Sequence, residues 1–185
     1  MTGSIHPLPP VPRGKTLPPL DPRPHRQPVT AVVALGSNQG ARRDTVHEAV
    51  EAIRRLPLVD GVRVSELIET VAVRPDGPDP EAPRYVNAVA LVTTRLAASV
   101  LLGMLHAIED KYGRVRTEKW GDRTLDLDLI TFGDERSDHE HLMVPHPRAA
   151  ERLFVLEPWL SLDPDAAIPG IGRVDDLVAR LKGSV

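Results

Sequence analysis

The sequence predicts an α+β domain with a ferredoxin-like βαββαβ core, an antiparallel sheet with helices packed on it, followed by C-terminal helical segments. Three observations predict it. Apolar runs of strand length alternate with two stretches of helical periodicity in that order. Segments rich in Gly and Pro separate them. The 185 residues suffice for one buried core and are too few for two ordinary ones.

The first strand is Ala31 to Leu35, a short continuous apolar run closed by Gly36-Ser37-Asn38-Gln39-Gly40. Val46, Ala49, Val50, Ile53 and Leu56 then recur at helical spacing until Pro57. A second strand is expected over 62–70. The stretch from Arg74 to Arg84, rich in Pro, Asp and Gly, reads as a loop, and Tyr85 to Thr94 as a strand. Leu101, Leu102, Leu105, Ile108 and Tyr112 form the stripe of a second amphipathic helix ending at Gly113, and Leu125 to Phe132 returns to strand. Leu153 to Leu160 and Val174 to Leu181 predict helices packed against this unit.

Residues 1–28 hold nine of the 19 prolines and no apolar periodicity, so they are expected to be a disordered extension preceding a domain at 29–185. This segment takes four of the 23 basic residues and one of the 26 acidic ones, leaving 19 against 25 in the domain. An acidic domain of this kind argues against nucleic-acid binding, and any anion it holds must meet a local cationic cluster. The absence of cysteine excludes a disulfide scaffold, a thiolate zinc site and a cysteine nucleophile. With neither a membrane-length apolar run nor a secretory h-region, the chain is expected to be cytoplasmic, off the membrane and monomeric.

The chemistry concentrates in the stretch from Gly113 to Ile130. Strand alternation puts Asp126 and Asp128 on one face, about 7 Å apart, an arrangement suited to a hard divalent ion whose shell is completed by phosphate oxygens. Upstream, Arg114, Arg116, Lys119 and Arg123 crowd a loop between Gly113 and Gly121. Guanidinium forks grip phosphate oxygens, so carboxylates and arginines together point to a polyphosphate site. A bare Asp-x-Asp pair beside a solvated salt-bridge loop is the plainer reading, and the cation loop with Trp120 weighs against it. In Tyr85-Val86-Asn87 the first and third side chains share a face, placing a ring beside an amide that both donates and accepts, as a flat heterocycle requires. Alone, Tyr85 reads more readily as a half-buried strand residue. His146, set between Pro145 and Pro147, and Arg152, at the start of a helical run, suit phosphate or ribose recognition or a purely structural role. A nucleotidyltransferase and an RNA-stacking module are the rival readings of these residues.

Taken together and in order, Leu35-Gly36-Ser37-Asn38, Tyr85-Val86-Asn87, the Gly113 to Leu129 stretch and the block from Pro145 to Leu156 resemble the 6-hydroxymethyl-7,8-dihydropterin pyrophosphokinase family of folate biosynthesis. The resemblance spans residues 30–181. It implies transfer of pyrophosphate from MgATP to the hydroxymethyl group of a reduced pterin, with release of AMP. It further implies two Mg²⁺ ions held by Asp126 and Asp128, and Arg114 and Arg123 as catalytic residues. Glu109, Arg116, Lys119, Trp120, His146 and Arg152 would bind ATP. Thr70, Val71, Val73, Tyr85, Asn87, Trp120 and Phe154 would bind the pterin. The sequence departs from the family pattern at Val71 and Arg74, where Pro and Gly are common, and at Asp122, where Pro is usual.

Overall fold

The computed structural model describes residues 27–74, 77–79, 84–112 and 124–183. Residues 1–26 of the proline-rich extension and the whole cation loop, 113–123, lie outside them. The chain runs through β1 (Val29–Ser37), α1 (Arg42–Arg54), β2 (Val59–Val64), β3 (Ile68–Thr70), β4 (Ala72–Arg74), β5 (Gly77–Asp79), β6 (Tyr85–Thr94), α2 (Ala98–Lys111) and β7 (Asp126–Phe132). It continues with β8 (Ser137–His139), β9 (Leu142–Val144), a one-turn 3-10 helix at Ala149–Glu151, α3 (Leu153–Leu162), β10 (Ala167–Ile168), β11 (Gly172–Arg173) and α4 (Val174–Gly183).

The main sheet has the order β2-β6-β1-β7, with β3 also pairing with β6, and its pairings are antiparallel. This is the ferredoxin-like arrangement the element order predicts. β1 is apolar without alternation because it is covered on both faces. Ala31, Val33 and Leu35 pack with Val46, Ile53, Leu101 and Leu105 of α1 and α2. Val32 and Ala34 pack on the opposite face with Val155, Leu156, Trp159 and Leu177 of α3 and α4. The C-terminal helices are therefore the second cover of the sheet. Past Ala34 that second face turns polar, and there the candidate site lies.

Two stretches differ from the sequence expectation. The strand expected over 62–70 is divided into β2 and β3, because three residues, 65–67, stand against two, 88–89, of β6. Ser65 supports the slip: its N–H donates to the Val89 carbonyl, and its Oγ accepts from the Val89 N–H. One extra residue exchanges the faces of everything after it, so Thr70 rather than Glu69 comes opposite Tyr85. The second difference is at 74–84, where part of the expected loop forms a hairpin, β4 with β5.

At the end of β7, Gly133 has φ of 50°, and a Cβ there would lie 2.8 Å from Cγ1 of Val29. Both the left-handed backbone and the contact with β1 require glycine. Gly133→Ala is expected to destabilise the domain by roughly 1–2 kcal/mol, read as a lower urea midpoint with an unchanged slope.

Candidate active site

Three strands place the polar face. In register, Gly36 of β1 stands opposite Asn87 of β6 on one side and Asp126 of β7 on the other, while Ala34 stands opposite Asp128. Two strand spacings of about 4.8 Å separate the Asn87 and Asp126 backbones by roughly 10 Å. Gly36 puts no side chain between them. A Cβ on Gly36 would approach Oδ1 of Asn87 to 3.2 Å, so the amide rests directly against this glycine.

Asp126 and Asp128 are half-buried and, two residues apart in β7, share this face as expected. Arg152, immediately before α3, donates from Nη1 to Oδ2 of Asp128 at 2.9 Å. His146 Nε2 lies 3.9 Å from the same oxygen. His146 is fixed through both backbone and ring. Its N–H donates to the Ile130 carbonyl at 2.8 Å, and its Nδ1 accepts from the Arg148 N–H at 3.1 Å. Ile130 is the residue of β7 that the register slip beside Val32/Val33 leaves out of the pairing with β1. With Nδ1 accepting, the neutral ring carries its proton on Nε2, toward Asp128. Burial holds the imidazole below its ordinary value. Asp128 opposes that shift, Arg152 and Arg148 reinforce it, and Asp126 opposes it.

Arg152 thus reaches a carboxylate, where the resemblance implies a phosphate contact. Its guanidinium carbon also lies 5.7 Å from the centre of the Phe154 ring, so one arginine bridges Asp128 and an aromatic of the expected pterin set. Glu109, implied to be an ATP contact, is 1% exposed and accepts a hydrogen bond from the Leu127 N–H at 2.9 Å. Sequence reasoning did not find this contact, although a charged residue directly after the buried Ile108 of α2 was its signal.

On the Asn87 side, the amide Nδ2 donates to Thr70 Oγ1 at 2.7 Å. Thr70 opposite Tyr85 and Ile68 opposite Asn87 align β3 with the start of β6. Tyr85, Phe154 and Val71 are half-buried, and Val73 lies in β4 opposite Pro78. Two arginines of α1 tie down this end: Arg43 pairs with Glu69 at 3.0 Å, and Arg42 donates to the Arg84 carbonyl. Arg114, Arg116, Lys119, Trp120 and Arg123 lie outside the described residues.

The donor set fits one kind of metal. Among the described residues no three His, Cys, Asp or Glu side chains converge as a metal cage. Two carboxylates on one stiff strand instead suit an ion such as Mg²⁺, which keeps water and takes the rest of its shell from phosphate oxygens. With an amide across a bare glycine from them, the carboxylates form a layout that suits a metal-assisted transferase acting on phosphorus.

Comparison with known proteins gives the particular family. Residues 32–164 match the model of the 7,8-dihydro-6-hydroxymethylpterin-pyrophosphokinase family, and the chain belongs to that family. It is 44% identical over 147 residues to a 2-amino-4-hydroxy-6-hydroxymethyldihydropteridine pyrophosphokinase of Pseudomonas aeruginosa, covering 80% of this chain and 88% of the relative. A protein of the same description from Haemophilus influenzae is 38% identical over 150 residues, covering 81% and 91%. A crystal structure of Plasmodium falciparum HPPK-DHPS matches 87% of this chain with a TM-score of 0.64 at 13% identity. A structure of HPPK-DHPS in complex with substrates matches 85% with a TM-score of 0.65 at 11%. This chain spans 46% and 44% of those two longer chains, and at such identity they show the fold. The protein is an ATP-dependent pyrophosphokinase that transfers pyrophosphate to hydroxymethyldihydropterin in folate biosynthesis. No helix among the described residues is long and apolar enough to cross a membrane.

Proposed function

We propose that transfer takes place across Gly36, with the pterin on the Asn87 side and the triphosphate of ATP on the Asp126 and Asp128 side. The observation that carries this reading is the register row Asn87, Gly36, Asp126. In the reaction, the hydroxymethyl oxygen attacks the β-phosphorus in line, the bond from that phosphorus to the α,β-bridging oxygen breaks, AMP departs, and the hydroxyl proton passes to solvent. No protein nucleophile is involved, so the residues act by positioning and by charge.

Asp126 and Asp128 would hold two Mg²⁺ ions, which would supply charge neutralisation to the phosphates and the attacking oxygen. Arg152 holds Asp128 in place and keeps a positive charge at the phosphate end. His146 presents its Nε2 proton to phosphate or ribose. Arg114 and Arg123 stabilise the transferring group, Arg116 and Lys119 hold the nucleotide, and Trp120 covers both substrates. Asn87, oriented by Thr70, reads the pterin edge, with the rings of Tyr85 and Phe154 on its faces and the backbone at Val71 and Val73 completing the contacts. The acidic domain supports small-molecule substrates rather than nucleic acid.

Two ions predict a rate that keeps rising with Mg²⁺ after ATP itself is saturated. Initial rates at fixed ATP and pterin test this, and a rate that levels off once each ATP holds one Mg²⁺ contradicts it. Gly36→Ala presses on the Asn87 amide, which must give by a few tenths of an ångström. It is expected to raise KM for the pterin roughly several-fold and leave KM for ATP near its starting value, since small misplacements of a positioning group carry such costs.

A further inference from the structure

We infer that Glu109 is a positioning residue for the carboxylate strand, setting the aim of Asp126 and Asp128 through the backbone between them. The inference rests on the proposed role of that pair. Among the described residues β7 is terminal in the sheet order, with β1 on one side, so its outward backbone groups face no further described strand of that sheet. The Leu127 N–H donates instead to Oε1 of Glu109 at 2.9 Å. Leu127 is 1% exposed and packs in the layer shared with α1 and α2, while its two neighbours carry the carboxylates on the opposite face.

A carboxylate with 1% exposure on the core stripe of α2, alongside Leu101, Leu105 and Ile108, is costly to bury and needs a compensating partner. One such partner is the N–H that lies between the two site carboxylates. A bond at the centre of a three-residue segment limits both slip and rotation of the strand, and so fixes both carboxylates together. Ligand-orienting contacts of this kind typically change affinity or activity by about 10- to 100-fold when removed.

The test compares Glu109→Gln with Glu109→Leu. Glutamine keeps an oxygen acceptor for the Leu127 N–H and loses the charge, whereas leucine loses both. Expected for Glu109→Leu are a fall in kcat/KM for MgATP of about 10- to 100-fold and faster hydrogen exchange at the Leu127 amide, with β1 and β6 protection retained. Glu109→Gln restores most of the activity and the slow exchange at Leu127. Equal loss in both variants, with Leu127 still protected in Glu109→Gln, overturns the inference, since the charge rather than the anchor then matters. Full activity in Glu109→Leu also overturns it. Should Glu109→Leu fail to fold, Glu109→Gln alone decides by the same two readouts. Asp128→Asn, run in parallel, separates the two claims: if it is impaired while Glu109→Leu is not, the inference fails and the carboxylate site stands.

Discussion

Asp128→Asn is expected to lower kcat by about 10²- to 10⁴-fold at saturating Mg²⁺, because a bound metal ion supplies several kcal/mol of charge stabilisation in a phosphorus transfer and each 1.4 kcal/mol is roughly tenfold. The substitution is chosen for what it preserves. Asparagine has the shape of aspartate and offers an oxygen to Arg152, which bonds Asp128 at 2.9 Å, so neither the guanidinium nor His146 faces an empty position. Thermal melting within a few degrees of the parent, together with the kinetic loss, gives the expected pattern. Turnover near that of the parent contradicts the role of the strand face.

The second large effect is on the opposite side of Gly36. Asn87→Leu removes the amide expected to read the pterin edge and leaves Thr70 Oγ1 without its 2.7 Å donor. A pocket built to hydrogen-bond a heterocycle loses strongly when the polar group goes, and kcat/KM for the pterin is expected to fall by about 10²- to 10³-fold. Affinity for a non-hydrolysable ATP analogue, measured by calorimetry, is expected to stay within about threefold, since the nucleotide side is roughly 10 Å away across two strands. Equal loss of both ligands would mean that the site is not divided along Gly36.

Much of this architecture is legible in the sequence because it follows from periodicity. The unbroken apolar run from Ala31 to Leu35 reads as a strand covered on both faces, and Asp126 and Asp128 read as partners because a strand alternates with period two. The same reasoning misplaces part of the segment 62–70. Its division depends on Ser65 supplying a ladder acceptor from its side chain, which no pattern of apolar residues records. That slip is what turns Thr70 toward Asn87.

Long-range polar contacts are equally hidden. Arg152 and Asp128 are 24 residues apart, and Glu109 and Leu127 are 18 apart. Type and spacing place Arg152 near an anion without saying that the anion is a carboxylate of the protein itself. Glu109 carried a weaker signal, a charge beside the apolar stripe of α2, and its partner is a backbone group common to every residue. The hairpin of β4 and β5 escaped detection because each strand is three residues long and β5 opens on Gly77-Pro78, residues that read as a loop.

Pyrophosphate transfer is tested most directly by AMP release from ATP and Mg²⁺ with and without 6-hydroxymethyl-7,8-dihydropterin, with the pterin product weighed by mass spectrometry. AMP is expected only when the pterin is present, in equal amount to a pterin heavier by one pyrophosphate group. AMP that forms at the same rate without the pterin, or a pterin that gains a single phosphate with ADP released, would contradict it.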